Sequence, residues 1–79
     1  MNTRDKRERK TIAEWRKGKW LTQEELGKMV GVSLTSISSW ELGVKQPRFK
    51  NLRALAAALG IEPDQIILIE GKDDPELAA

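Results

Sequence analysis

Between Thr22 and Gly43 the chain carries two short helical patterns, each opened by a hydroxyl residue and closed by a glycine, with three residues between them. Thr22 is a good N-cap, and Glu25 three positions later completes a capping box ahead of Leu26, Met29 and Val30. Gly31 can take the left-handed conformation that ends a helix, and Ser33 is the next N-cap, so the link is Gly31 to Ser33. Two helices meeting at so tight a turn keep a fixed crossing angle only if the corner is small and the flanks are apolar. Gly27 allows the close approach, and Leu26, Val30, Val32, Ile37 and Trp40 are positioned to fasten the pair to the rest of the chain.

Around this pair the pattern stays helical. Ile12, Trp15 and Arg16 share one face of a first helix that fades near Gly18. Phe49, Leu52, Leu55, Ala56 and Leu59 recur at helical spacing in a fourth, which Gly60 ends. Pro63 suits the first turn of a fifth, although the aliphatic run Ile66 to Ile69 leaves a short strand equally open. With aliphatics dominating and only Phe49 and three tryptophans as aromatics, the expected fold is all-α. Residues 1–10 read as a basic arm or an early start of the first helix, with possible pairs Arg4/Glu8 and Asp5/Arg9. Residues 11–70 read as the domain, and 71–79 as an acidic, loosely ordered tail.

Composition narrows the function. The 79 residues suffice for one core and not two. Neither cysteine nor histidine is present, which removes disulfides, the commonest transition-metal ligands and the commonest general base, so no metal or cofactor is expected. Glu24/Glu25 and Asp73/Asp74 are adjacent in sequence and diverge on a helix, which leaves no catalytic spacing. An enzyme is not expected. The charged N-terminus lacks a secretory pattern, and no apolar run approaches the roughly 20 residues of a membrane span, so a cytoplasmic protein without a membrane partner is expected. The net charge of +2 divides unevenly: residues 1–53 hold 13 Lys/Arg against 6 Asp/Glu, and residues 54–79 hold 1 against 6. A basic N-terminal two-thirds suits a polyanion, and the acidic end points away from one.

In the third helix Ile37 and Trp40 share the inward face, Leu34 lies at its edge, and Thr35, Ser38 and Ser39 fall on the opposite side. Leu21-Thr22-Gln23-Glu24-Glu25-Leu26, Gly31-Val32-Ser33, Ile37-Ser38-Ser39-Trp40-Glu41 and Gly43 through Pro47 together resemble the phage-repressor and Cro-like helix-turn-helix family. The likeness runs from about Ile12 to Ile67. It implies a lambda-repressor-like five-helix domain with Gln23 to Val30 as positioning helix and Ser33 to Leu42 as recognition helix, acting on double-stranded DNA in a prokaryotic or phage setting.

The resemblance assigns roles residue by residue. Base reading falls on Leu34, Thr35, Ser36 and Ser39, whose hydroxyls and methyls serve either base type but form none of the bidentate pairs that Arg or Gln would give. Phosphate contact falls on Gln23 and on the loop cations Lys45, Arg48 and Lys50, with Arg48 at a position that can approach the minor groove. Arg16 and Glu41 are implied as an ion pair joining the first helix to the end of the third. Trp20 stands where the family usually has glycine, and Gly27 where it usually has alanine.

Function is then expected to be sequence-specific transcriptional regulation by a homodimer on a palindromic site, with Ile66, Ile67 and Ile69 nominated for the dimer seam. Closure of the monomer core by that segment is the competing assignment. The other reading is an antitoxin-like or adaptor protein held to a protein partner through its C-terminal segment. No small-molecule ligand is implied.

Overall fold

The computed structural model describes residues 8–69. Most of the expected N-terminal arm, its pairs Arg4/Glu8 and Asp5/Arg9, and the acidic tail lie outside the described residues. The elements are β1 (Lys10–Thr11), α1 (Ile12–Gly18), α2 (Gln23–Val30), α3 (Leu34–Leu42), α4 (Phe49–Leu59), a 3-10 turn at Pro63–Gln65 and β2 (Ile66–Ile67).

Four α-helices are present among the described residues, and the expected fifth is replaced by the 3-10 turn and a strand. The fold is therefore mostly helical rather than all-α. Local hydrogen bonds close the turn early: Gln65 Oε1 accepts from the Glu62 backbone N–H at 2.9 Å, and Ile66 is already extended at ψ 124°. The β-branched pair Ile66–Ile67 then lies parallel to β1, Lys10 opposite Ile66 and Thr11 opposite Ile67. Side chains reinforce this closure of the two ends. Trp15 Nε1–H donates to the Gln65 carbonyl at 2.8 Å, Arg9 Nε–H to the Asp64 carbonyl at 3.2 Å, and Gln65 Nε2–H to the Glu8 carbonyl at 3.1 Å. The Lys10 ammonium sits 5.0 Å from the centre of the Trp15 ring, within cation–π range.

Helix α1 starts where a capping box forms. Thr11 Oγ1 accepts from the Glu14 N–H and Glu14 Oε1 from the Thr11 N–H. The Thr11 backbone N–H foremost, and the Thr11 hydroxyl beside it, hold the Glu14 carboxyl below its ordinary pKa. The chain leaves α1 through Lys19 and Trp20, and Trp20 takes φ 58°, the left-handed region. For a residue with a Cβ that conformation costs about 1–2 kcal/mol.

α2 packs on both α3 and α4, and α1 reaches α3. Where these faces meet, Leu26 of α2, Ile37 and Trp40 of α3, and Leu55, Ala56 and Leu59 of α4 are buried, closed at one end by Ile12 and Ile66. Full burial of a side chain such as Leu26 or Leu55 stabilises by about 1.5–3 kcal/mol. Two residues that periodicity places with this set lie outside it: Met29 and Phe49 are exposed. Phe49 opens α4 in its first turn, and the Arg53 guanidinium stands 5.7 Å from its ring centre. No helix among the described residues is long and apolar enough to cross a membrane.

Candidate nucleic-acid interface

The α2–α3 corner is built from local bonds. Thr22 Oγ1 accepts from the Glu25 N–H at 3.0 Å and Glu25 Oε1 from the Thr22 N–H at 2.8 Å, which fixes the start of α2. At its end Gly31 turns at φ 85°, and the Gly27 carbonyl accepts from both Gly31 at 2.8 Å and Val32 at 2.9 Å. Ser33 Oγ accepts from the Ser36 N–H at 3.1 Å and starts α3. A Cβ on Gly27 would meet the Val32 carbonyl oxygen at 2.8 Å, a clash with backbone rather than with a yielding side chain. Gly27→Ala should therefore lose about 1 kcal/mol net, because overpacking costs about 1–3 kcal/mol and the better helix propensity returns about 1. Urea denaturation of the variant checks this, and a gain in stability would show that the corner is looser than described.

With Ile37 and Trp40 turned into the core, α3 leaves Thr35 exposed and Ser38 and Ser39 half-buried. Leu34 is exposed at the first turn. Ser36 is half-buried, and its Oγ accepts from Ser33 Oγ–H at 3.3 Å, so this hydroxyl also serves the cap. Leu42 is a member of this face that the residue pattern did not single out. It lies seven residues beyond Thr35, two helical turns along the same side, and is 64% exposed. The helix ends in a Schellman arrangement, with Gly43 donating to the Trp40 carbonyl at 3.3 Å and Val44 to the Ser39 carbonyl at 2.9 Å.

Lys45, Arg48 and Lys50 are exposed on the loop and first turn that follow, around the buried Pro47. Arg48 is the N-cap of α4 but makes no side-chain capping bond. The loop is tied down by Gln46, whose Nε2–H donates to the Ile69 carbonyl at 2.7 Å.

Behind the interface lies a bidentate ion pair. Arg16 Nε–H donates to Glu41 Oε2 at 2.6 Å and Nη2–H to Oε1 at 3.1 Å, while Nη1–H donates to the Leu21 carbonyl at 2.9 Å. The two side chains are 11% and 7% exposed. Gln23 joins this group: its Nε2–H donates to Glu41 Oε1 at 2.9 Å. The amide N–H is thus directed inward, and with the Thr22 and Glu25 N–H groups spent in the capping box, what α2 offers outward at this end is the backbone N–H groups of Gln23 and Glu24.

The three isoleucines nominated for a dimer seam are placed differently from one another. Ile66 is 6% exposed and belongs to the monomer core, because pairing with Lys10 turns it inward. Ile67 is exposed and Ile69 half-buried. No group of acidic residues among the described ones is arranged to hold a metal ion.

A sequence-family model described as helix-turn-helix matches residues 12–66, the whole of α1 through the start of β2. The chain belongs to the Cro/C1-type helix-turn-helix family. Family members are transcription regulators rather than enzymes. Among them, the repressor protein C2 of Salmonella phage P22 is 45% identical over 67 residues, covering 85% of this chain and 30% of the repressor. The HTH-type transcriptional activator BcrR of Enterococcus faecalis is 34% identical over 56 residues, covering 71% of this chain and 28% of the activator. The chain thus spans less than a third of the length of these two helix-turn-helix relatives. A crystal structure of the P22 c2 repressor with a synthetic operator aligns at a TM-score of 0.66 and 45% identity, covering 70% of this chain and 85% of that one. The solution structure of the P22 c2 DNA-binding domain aligns at 0.65 and 47% identity, over 67% and 70%.

Proposed function

We propose that the chain is a sequence-specific, double-stranded-DNA-binding transcription regulator that lays α3 in the major groove. The observation that carries this reading is the two-sided character of α3. One side is spent on the core through Ile37 and Trp40, and the other leaves Thr35 exposed and Ser39 half-buried, with the capped start of α2 before it in the chain and exposed cations in the loop after it. A major groove about 12 Å wide admits a helix so presented. The 45% identity to a repressor solved with its operator supports the same orientation.

Within that reading the contacts divide by chemistry. Thr35 and Ser39 offer hydroxyls, and Leu34 and the Thr35 methyl offer apolar contact to the thymine methyl group. Lys45, Arg48 and Lys50 neutralise phosphates and release counterions, and the α2 N-terminus at Gln23 donates backbone N–H to a phosphate oxygen. No bidentate reader is present, so sequence preference rests on single contacts and groove shape, while affinity rests on the cations. The domain offers a small footprint, and a homodimer on two half-sites about 34 Å apart doubles it. Ile67, with Ile69, is the apolar surface nominated for that seam, since Ile66 is committed to the monomer core.

Two variants test the division of labour. Arg48→Ala is expected to weaken binding to every duplex and to lower the slope of log affinity against log salt by about one. Thr35→Ala should leave that slope alone and change preference among sites by less than about 1 kcal/mol, below the range of a bidentate contact. Titrations of both variants against a selected duplex and a scrambled one, over several salt concentrations, measure the two effects. Identical behaviour of the two variants contradicts the reading.

A further inference from the structure

Trp20 is 91% exposed, the most exposed large apolar side chain among the described residues, and it is also their one non-glycine residue with positive φ. Both properties are unfavourable in the free domain. The backbone is strained, and the indole gains no burial in return. The other two tryptophans are spent on structure: Trp40 is in the core, and Trp15 is half-buried with its Nε1–H bonded to the Gln65 carbonyl. Among the described residues, Trp20 is the one tryptophan whose ring face and N–H are both left uncovered.

Its surroundings indicate what that is. Lys17 to Trp20 is a run of four exposed residues containing two lysines and no acid. Leu21 next to it is half-buried and gives its carbonyl to Arg16, so the link is anchored on the α2 side and holds the indole outward. Trp20 stands three residues before Gln23, so the two backbones are within about 10 Å even if the link is extended. An apolar protein surface would have to desolvate the neighbouring lysines to cover this ring, whereas a polyanion is attracted by them. On a duplex, whose base faces are already stacked, such a ring is left to pack on the sugar and donate its N–H to a phosphate oxygen while the ammonium groups meet neighbouring phosphates.

We infer that Trp20, flanked by Lys17 and Lys19, is an additional contact to the DNA backbone, extending the footprint past the α2 N-terminus. This rests on the duplex-binding role proposed above. The left-handed turn at Trp20 places an indole where a glycine would hold the same backbone without strain, so the residue trades stability of the free domain for area on the duplex.

Opposite signs in one variant test it. Trp20→Gly is expected to melt about 4–8 °C higher than the parent, the shift left in a domain of this size when glycine's added chain entropy is set against the relieved left-handed strain, and to bind a selected duplex about fivefold more weakly, the loss of one hydrogen-bonded contact. Saturating duplex should also shield the parent's exposed indole from acrylamide quenching, and the quenchable component should be missing in the variant. Equal affinity of parent and variant, or quenching of the parent unchanged by saturating duplex, overturns the role of Trp20 and leaves the duplex-binding reading standing. Failure of the parent to bind any duplex from a random pool overturns both. A variant that keeps its duplex affinity but changes self-association in sedimentation assigns the indole to a protein contact and likewise overturns the inference.

Discussion

Glu41→Ala is expected to cost about 3–5 kcal/mol of folding stability, a large share of the roughly 4–12 kcal/mol that a domain of this size has in total. The reason is what remains rather than what is removed. Arg16 is 11% exposed and would keep its charge and its bond to the Leu21 carbonyl, but its bidentate partner would be gone and Gln23 Nε2–H would lose its acceptor. A solvent-screened pair would be worth less than about 1 kcal/mol, so burial decides the magnitude. Two further variants separate the pair from its parts. Glu41→Gln keeps the shape and one acceptor oxygen and should lie between parent and alanine variant. The double variant Arg16→Met with Glu41→Leu removes both charges and should be at or above the parent in stability, since apolar replacement of a whole buried pair is often neutral or favourable. Urea denaturation of the four proteins gives the comparison. A loss below about 1 kcal/mol for Glu41→Ala would show that water reaches the pair.

Ile37→Ala is expected to cost about 2–5 kcal/mol, the range for truncating a buried aliphatic side chain. Ile37 is fully buried on the side of α3 opposite Thr35, so the cavity opens directly behind the proposed reading surface. Ile37→Val, which removes one methylene, should lose about 0.5–1.5 kcal/mol. At temperatures where both variants remain folded, duplex affinity should fall in the same order, because a helix that is not pressed against α2 and α4 does not hold its side chains at a fixed angle in the groove. Calorimetric melting paired with duplex titration measures both; retained stability in the alanine variant would mean that α3 is held by something other than its inward face.

How much of this was legible in the residues follows from how local each determinant is. The corner of the motif is legible almost to the residue, with α2 at Gln23–Val30, the link at Gly31 to Ser33 and α3 ending at Gly43, because capping boxes and left-handed glycines act within four positions. The inward assignment of Ile37 and Trp40 follows from helical period alone, and the pairing of Arg16 with Glu41 from family resemblance. What escaped depends on contacts across the chain. The parallel pairing of Lys10–Thr11 with Ile66–Ile67 joins the two ends of the domain, and nothing within four aliphatic residues distinguishes that strand from a fifth helix. Period likewise gives the phase of Met29 and Phe49 but not whether a neighbouring element covers them. The inward bond of Gln23 to Glu41 could not be read from a helix-start glutamine, and period alone does not tell an exposed Leu42 from a core leucine. The Thr11/Glu14 capping box and the Gln65 bond to the Glu62 N–H are local signals present in the residues as well.

The most direct measurement is a backbone amide chemical-shift titration of the protein with a duplex selected from a random pool. The largest changes should gather at Thr22 to Glu24, Leu34 to Ser39 and Lys45 to Lys50, one surface centred on Thr35. Changes confined to α1 and the Pro63–Ile67 segment, with Thr35 and Ser39 unmoved at saturation, would contradict the placement of α3 in the groove.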